Sequence, residues 1–149
     1  MRLTTHSDYA LRLLMYVGCY PGRLCTIAEI AEAHGISEAH LMKVTHRLGQ
    51  LGYLETIRGK GGGMRLARAP AEIGLGEVIR ALEPDFHLVD CHAPGASCAL
   101  AGHCRLTGIL GAALQRFLQH LDGYTLADLL PTRRGASPHL PFPLFPAQS

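Results

Sequence analysis

A glycine-rich segment constrains the fold of this chain more than any other feature. Between Arg58 and Arg65, four glycines lie among three cations. Glycine in such numbers disfavours a helix, because glycine loses more backbone entropy on ordering than any other residue, and it favours a tight turn. The residues on either side, Tyr53–Ile57 and Met64–Ala67, alternate with the two-residue period of a strand. The sequence therefore predicts a β-hairpin with a basic tip.

Three helical segments precede the hairpin. Apolar residues recur with helical spacing from Thr5 to Tyr20, and again in the two segments that follow Thr26 and Ser37. Thr26 and Ser37 are residue types that cap helix N-termini, and Gly35 between these segments suits the left-handed position that ends a helix. A helix, a glycine-containing turn and a second helix, followed at once by a hairpin, is the order of elements in a winged helix-turn-helix.

Charge is distributed unevenly along the chain. The net charge is only +2, but six cations against one acid leave +5 between His40 and Arg68. From Ala81 onward, four cations and five acids leave −1. A basic first half suits a phosphate-bearing partner. Hydrophobic residues make up 48% of the chain and charged residues 17%, and this apolar excess favours burial against a second subunit.

The basic hairpin beside a helix-turn-helix indicates double-stranded DNA as the partner. The major groove admits one helix, and glycines in the hairpin allow its cations to approach phosphates or the minor groove. A polar helix face alone would equally fit solvated surface. A nucleotide phosphate loop needs a helix after its strand, and the hairpin has none. The candidate DNA-contacting residues are Thr26, Ser37, Glu38, His40, Lys43, Thr45, His46, Arg47, Arg58, Lys60, Gly61, Gly62 and Arg65.

The second half predicts a short helix over Leu75–Glu83, a loop without periodicity, and a long helix from about Cys104 to Leu121. The apolar stripe of the long helix is too broad for one neighbour, which predicts packing on its own domain and on a second subunit. The expected fold is mainly α with a small β-hairpin. It divides into a winged helix-turn-helix in 1–83, a loop in 84–103, a dimerisation helix in 104–130 and a Pro-rich, disordered tail in 131–149.

The start of the chain carries no export signal. Asp8 and Arg12 interrupt the apolar pattern of the first twenty residues, no small-residue cleavage site follows, and no apolar run is long enough to span a bilayer. We therefore expect a cytoplasmic protein without a membrane partner. The sequence shows no Ser-His-Asp arrangement, no paired carboxylates and no nucleotide loop. We therefore do not expect an enzyme.

Three of the five cysteines lie close together. Cys91, Cys98 and Cys104 fall within fourteen residues, whereas Cys19 and Cys25 are expected to be structural thiols. The trio lacks the paired Cys-x-x-Cys of structural zinc sites, and it is one ligand short of a usual iron–sulfur set, although nearby histidines could complete it. From spacing alone, a metal or cluster site, redox-active thiols and no special role all stay open.

The chain resembles the Rrf-type family of iron–sulfur winged-helix regulators, and within it the nitric-oxide-sensing repressors. Besides the cysteine trio, the resemblance is carried by the runs Leu3–Arg12, Gly61–Ala67, Gly76–Pro84 and Leu121–Leu129. It extends from Met1 to about Leu130. It implies a homodimer paired through the long helix, bound to a DNA operator, with one iron–sulfur cluster per subunit, 2Fe-2S or 4Fe-4S, held by the three cysteines.

The resemblance also implies a fourth ligand and a signal. Asp8 matches the place of a carboxylate supplied by the first helix of the other subunit; the alternative is a first-turn acid that favours the helix dipole. A branch that responds to iron–sulfur status has a histidine three residues after the third cysteine, where this chain has Thr107. The implied function is a repressor that nitric oxide releases from DNA. A zinc- or thiol-dependent redox regulator and an iron–sulfur-status regulator stay as alternatives.

Overall fold

The structure is a computed structural model that describes residues 2–93, 95, 97–98 and 103–131. Its elements are α1 Thr5–Cys19, α2 Ile27–His34, α3 Glu38–Gln50, β1 Leu54–Ile57, β2 Gly63–Leu66, α4 Leu75–Leu82, α5 Arg105–Asp122 and α6 Leu126–Leu129. Short 3-10 turns occupy Pro70–Glu72 and Asp90–His92. The predicted fold, mainly helical with one small hairpin, is confirmed. The Pro-rich segment 132–149 lies outside the described residues.

Local sequence sets the ends of the helix-turn-helix. The Thr26 hydroxyl accepts a hydrogen bond from the backbone N–H of Glu29 at 3.3 Å, and the Ser37 hydroxyl accepts one from His40 at 3.4 Å. Gly35, with φ +63°, ends α2 in the left-handed conformation. These caps start α2 and α3 where the sequence predicts them and fix the turn between the two helices.

One apolar core joins the first three helices to the hairpin. Its fully buried side chains include Leu13 and Leu14 of α1, Ile30 of α2, and Leu41 and Leu48 of α3. The burial of these side chains is the main term that holds the three helices together. The core therefore places α3 with one face inward and leaves its other face on the surface.

The hairpin is anchored to the helical part of the domain. Strands β1 and β2 pair antiparallel, with Leu54 opposite Leu66 and Ile57 opposite Gly63. The backbone of Met64 exchanges two hydrogen bonds with Cys25, 2.9 and 2.7 Å long, in the turn before α2. Because β2 is paired on both sides, only the tip of the hairpin projects from the domain.

The long helix α5 is tied to the domain at its far end. Arg80 of α4 donates two hydrogen bonds to the Asp122 carboxylate, one of them 2.7 Å long from Nη2 to Oδ2. No residue of α5 is buried, although nine of its positions from Leu106 to Leu121 are apolar. Among the described helices, none is long and apolar enough to cross a membrane.

Candidate functional site

Helix α3 separates a core face from an outward face. Leu41, Val44 and Leu48 are buried, as the sequence predicts. The predicted DNA-contacting residues that do lie on the surface of this helix are Glu38, His40, Lys43, His46 and Arg47.

Thr45 corrects one expectation about this helix. Thr45 is among the predicted DNA contacts, but the residue is only 6% exposed and its hydroxyl contacts Met64 Sδ at 3.9 Å. At about 100° per residue, position 45 lies one turn from both Leu41 and Leu48, so it follows them toward the core. Thr45 therefore belongs to the packing between α3 and the hairpin.

Several outward side chains of α3 are held by neighbours. The Nδ1 atom of His40 lies 2.9 Å from the Ser37 hydroxyl, and its ring centroid lies 6.1 Å from that of Tyr9 in α1. Arg47 donates a hydrogen bond to the carbonyl of Ala81 at 3.3 Å. Lys43, by contrast, has no ion-pair partner within the part of the chain that the structure describes. Its ammonium group is therefore available to an external anion.

The sequence analysis missed Met42, which is 55% exposed on the same outward face. A large, exposed apolar side chain in the first half of the helix predicted to enter the major groove is a signal of its own. The predicted DNA contacts on this helix are all polar or charged residue types, so Met42 is not among them.

The hairpin tip is exposed and cationic. Arg58 and Lys60 lie on the surface, and the described residues offer neither of them a carboxylate within ion-pair distance. Gly59 and Gly61 have φ values of +105° and +77°, which other residues adopt only with strain. A side chain at Gly62 would run into the carbonyl oxygens of Ile57 and Gly59. The glycines thus let the chain make the turn that presents the two cations.

Arg65 and Thr26, two further predicted DNA contacts, have partners within the domain. Arg65 forms a 2.8 Å ion pair with Glu55 across the two strands, and this pair lowers the pKa of Glu55. The Thr26 hydroxyl lies 3.3 Å from Oε2 of Glu29 while it caps α2. Both residues are exposed, and their contact with DNA stays a prediction.

The cysteine trio lies at and before the start of α5. Cys91 and Cys98 are exposed, and Cys104 is the half-exposed N-cap residue of the helix. The backbone N–H of Thr107, its hydroxyl and the backbone N–H of Leu106 hold the pKa of the Cys104 thiol below its ordinary value. A thiolate at the start of a helix is stabilised by such donors and by the helix dipole.

The other two cysteines have the opposite character. Cys25 is fully buried, and burial raises the pKa of its thiol to about 11. Burial also raises the pKa of Cys19. Both side chains are therefore protonated thiols near neutral pH, which agrees with their interpretation as structural residues.

Asp8 lies in a cleft beside the first turn of α1. Its carboxylate accepts hydrogen bonds of 3.1 and 3.0 Å from Nε of Arg12. The cleft has a volume of about 420 Å³ and is lined by Arg2, Tyr9 and His34, among others. With two arginines against one aspartate, the cleft suits an additional anionic group.

The structure does not collect the predicted metal ligands in one place. Within the described residues, no group of three or more His, Cys, Asp or Glu side chains is close enough to hold a metal ion. Residues 94, 96 and 99–102 of the connecting loop lie outside that description. Ligation by Cys91, Cys98, Cys104 and Asp8 therefore stays a prediction.

Comparison with known proteins matches residues 3–132 to the Rrf2 family, described as iron-dependent transcriptional regulators. The HTH-type transcriptional regulator NsrR of Bacillus subtilis is 48% identical over 132 residues, covering 87% of this chain and 90% of the relative. NsrR of Geobacillus kaustophilus is 50% identical over 135 residues, covering 89% and 92%. A transcriptional regulator from Listeria innocua superimposes with a TM-score of 0.71 at 27% identity, covering 87% of this chain and 85% of that one.

Proposed function

Because this chain belongs to the Rrf2 family and is a transcriptional regulator of the NsrR type, we propose that it is a dimeric repressor whose iron–sulfur cluster senses nitric oxide. The observation that carries the sensing role is Cys104, a thiolate-stabilised cysteine at the start of the long helix and at the end of the cysteine-bearing loop. We place the protein in the cytoplasm, where its thiols stay reduced and DNA is accessible.

DNA binding is supported by the surface that α3 and the hairpin share. Lys43 on the helix and Arg58 and Lys60 at the hairpin tip are exposed cations, and the hairpin is fixed to the domain through Met64. A helix enters the major groove while flanking cations bind phosphates or the minor groove. Together these residues form the proposed DNA-binding surface.

Homodimerisation is supported by the uncovered apolar face of α5. Leu106 is 55% and Ile109 63% exposed in the single chain. Exposure of these apolar side chains to water is unfavourable, and burial against an identical helix would remove it. A two-fold dimer also presents two α3 helices to two half-sites of an operator. The same surface patch on each subunit would form the interface.

The chain's donor groups fit an iron–sulfur cluster. Cys91 and Cys98 are exposed and sit in the same loop as Cys104, so three thiolates can approach one cofactor. Asp8 of the second subunit would add one oxygen ligand, in a cleft whose arginines favour an anionic metal–thiolate group. When bound, the cluster supplies iron that reacts with nitric oxide; the protein contributes the ligands and their surroundings.

Asp8 links the cofactor to the DNA-binding surface. In the structure the Asp8 carboxylate pairs with Arg12, and a bond from this carboxylate to the cluster would compete with that pair. The next residue, Tyr9, contacts His40 of α3, and α1 and α3 share the apolar core. We propose that a change of partner at Asp8 shifts α1 and, through this contact, the position of α3 in its half-site. A coupling of about 1–3 kcal/mol, roughly 5- to 150-fold in affinity, is typical of such a link.

The experiment compares anaerobically purified wild type with Cys98→Ala and, as a matched control, Cys19→Ala. Iron, sulfide and visible absorption report the cluster, and fluorescence anisotropy with a selected DNA duplex reports binding before and after a nitric oxide donor. Wild type and Cys19→Ala should carry a cluster, and the nitric oxide donor should lower their DNA affinity by about tenfold or more. Cys98→Ala should fold normally, lack the cluster and show no response to nitric oxide.

Two results would contradict the proposal. A colourless wild-type protein with one zinc ion per chain would exclude the cluster and favour a zinc-dependent regulator. A cluster-bearing protein whose DNA affinity nitric oxide leaves unchanged would exclude the sensing role.

A further inference from the structure

An apolar patch interrupts the polar outward face of α3. Met42 is 55% exposed, and Ala39, three residues earlier, is exposed beside it. Residues three apart on a helix are neighbours on one face. The opposite face, with Leu41 and Val44, already fills the core. The patch therefore takes no part in the core packing of the single chain.

The surroundings of the patch indicate what covers it. Lys43 and His46 are exposed on the same helix, and Arg58 and Lys60 at the hairpin tip are further exposed cations of the proposed DNA-binding surface. An apolar protein surface would leave these charges without compensation. Duplex DNA offers phosphates to the cations and, inside the major groove, base edges to the helix.

The position of the patch along α3 indicates whether it would contact base edges or the DNA backbone. Ala39 and Met42 are the second and fifth residues of α3, which begins at Glu38. The first turns of a recognition helix contact base edges, whereas residues farther along contact the backbone. Among the groups that base pairs expose in the major groove, the thymine methyl is the apolar one.

We propose that Met42, with Ala39 beside it, contacts thymine methyl groups and makes this regulator select A·T pairs at that point of each half-site. The inference rests on the proposed function as a DNA-binding regulator and adds a specificity-determining residue to it. The flexible, polarisable methionine side chain can fit a methyl group without a fixed geometry.

The test uses a duplex that the full-length, anaerobically prepared protein selects from a randomised DNA library. Each thymine of this duplex is replaced in turn by uracil, which differs from thymine only by lacking the methyl group. At one or two positions per half-site, uracil should weaken wild-type binding by about three- to fivefold, the loss expected for one buried methyl group. Met42→Ala should bind the thymine duplex more weakly and show no further loss with uracil at those positions.

His46→Ala provides the matched control, because His46 is exposed on the same helix. This variant should keep the wild-type uracil profile whatever its overall affinity. Circular dichroism checks that each variant is folded. Identical uracil profiles for wild type and Met42→Ala, or a profile without sensitive thymines, would overturn the assignment while DNA binding stands. A library that yields no preferred duplex would overturn the proposed function itself.

Discussion

A single hydroxyl, three residues into α5, helps to set the chemistry of a thiol. Thr107 reaches back to Cys104 with both its backbone N–H and its side chain, and the two donors lower the pKa of that thiol. A lowered pKa means that the thiolate, the form that binds metals, persists to lower pH than in an ordinary cysteine. Thr107 therefore favours the thiolate form of Cys104 through hydrogen bonds.

Removal of the Thr107 hydroxyl should raise the pKa of Cys104. In metal-free protein, Thr107→Val keeps the backbone donor and loses the hydroxyl, so the thiolate should form at higher pH than in wild type. Thr107→Ser, which retains a hydroxyl, should restore the wild-type behaviour. The measurement is the pH dependence of Cys104 alkylation by iodoacetamide, followed by peptide mass spectrometry. Coincident profiles for all three proteins would contradict the role of the hydroxyl.

The residue scale also shows where sequence reasoning succeeds and fails. The caps Thr26 and Ser37 could be predicted because their hydrogen bonds are local. Thr45 was assigned to the wrong face because its polarity outweighed its position, and the contact with Met64 that receives it comes from a different element. Met42 was missed because only polar and charged residues were expected to contact DNA, whereas Met42 is an exposed apolar residue.

At the scale of elements, the hairpin positions the two exposed cations at its tip. Its base is paired to the helical domain through Cys25 and Met64, and its tip turns through glycines. Close approach at Gly62 leaves no room for a side chain beside the carbonyls of Ile57 and Gly59. The position of Arg58 and Lys60 therefore depends on a residue that carries no charge.

Gly62→Ala should separate the shape of the tip from its charge. The added methyl group must displace the turn, so DNA affinity should fall by about tenfold although every cation is retained. The free energy of unfolding should change by only about 1–2 kcal/mol, because the core is untouched. Binding titrations and urea denaturation measure the two quantities. Thr56→Ala, an exposed change in β1 of the same hairpin, serves as control; equal affinity for both variants would contradict the argument.

At the scale of the whole molecule, the uncovered face of α5 adds to the apolar excess noted in the sequence. The helix is attached at one end by the Arg80–Asp122 pair, and Leu106 and Ile109 stand clear of the domain near the other end. Pairing with a second copy of the chain would bury this apolar face. Helical periodicity predicted the long helix and its broad apolar stripe, because both depend on residues within one segment. The pairing of this stripe with a second subunit stays a proposal.

If the protein dimerises through this face as proposed, Ile109→Asp should be a monomer, because a carboxylate buried at the proposed two-fold interface would have no partner. Gln115→Asp adds the same charge at an exposed polar position of α5 and should stay dimeric. Light scattering coupled to size-exclusion chromatography gives the molar mass. A dimeric Ile109→Asp protein would exclude this face as the interface.

The arrangement of the sensing site could not be predicted to the same depth. Helices and the hairpin follow from patterns within short windows, and the structure matches them to within a residue or two. The cysteine trio and Asp8 lie far apart in the sequence, and the proposed site would combine them across two subunits. In the described chain they form no common cluster, so the ligand set depends on the family resemblance rather than on spacing.

The cleft at the start of α1 has a practical consequence for producing the protein. Arg2 and Leu3 line the same cleft as Asp8, so an affinity tag fused to the amino terminus would begin inside it. At the opposite terminus, eighteen residues follow Pro131 in the sequence and separate a carboxyl-terminal tag from the described part of the chain. Recombinant protein intended for cofactor studies should therefore carry its purification tag at the carboxyl end.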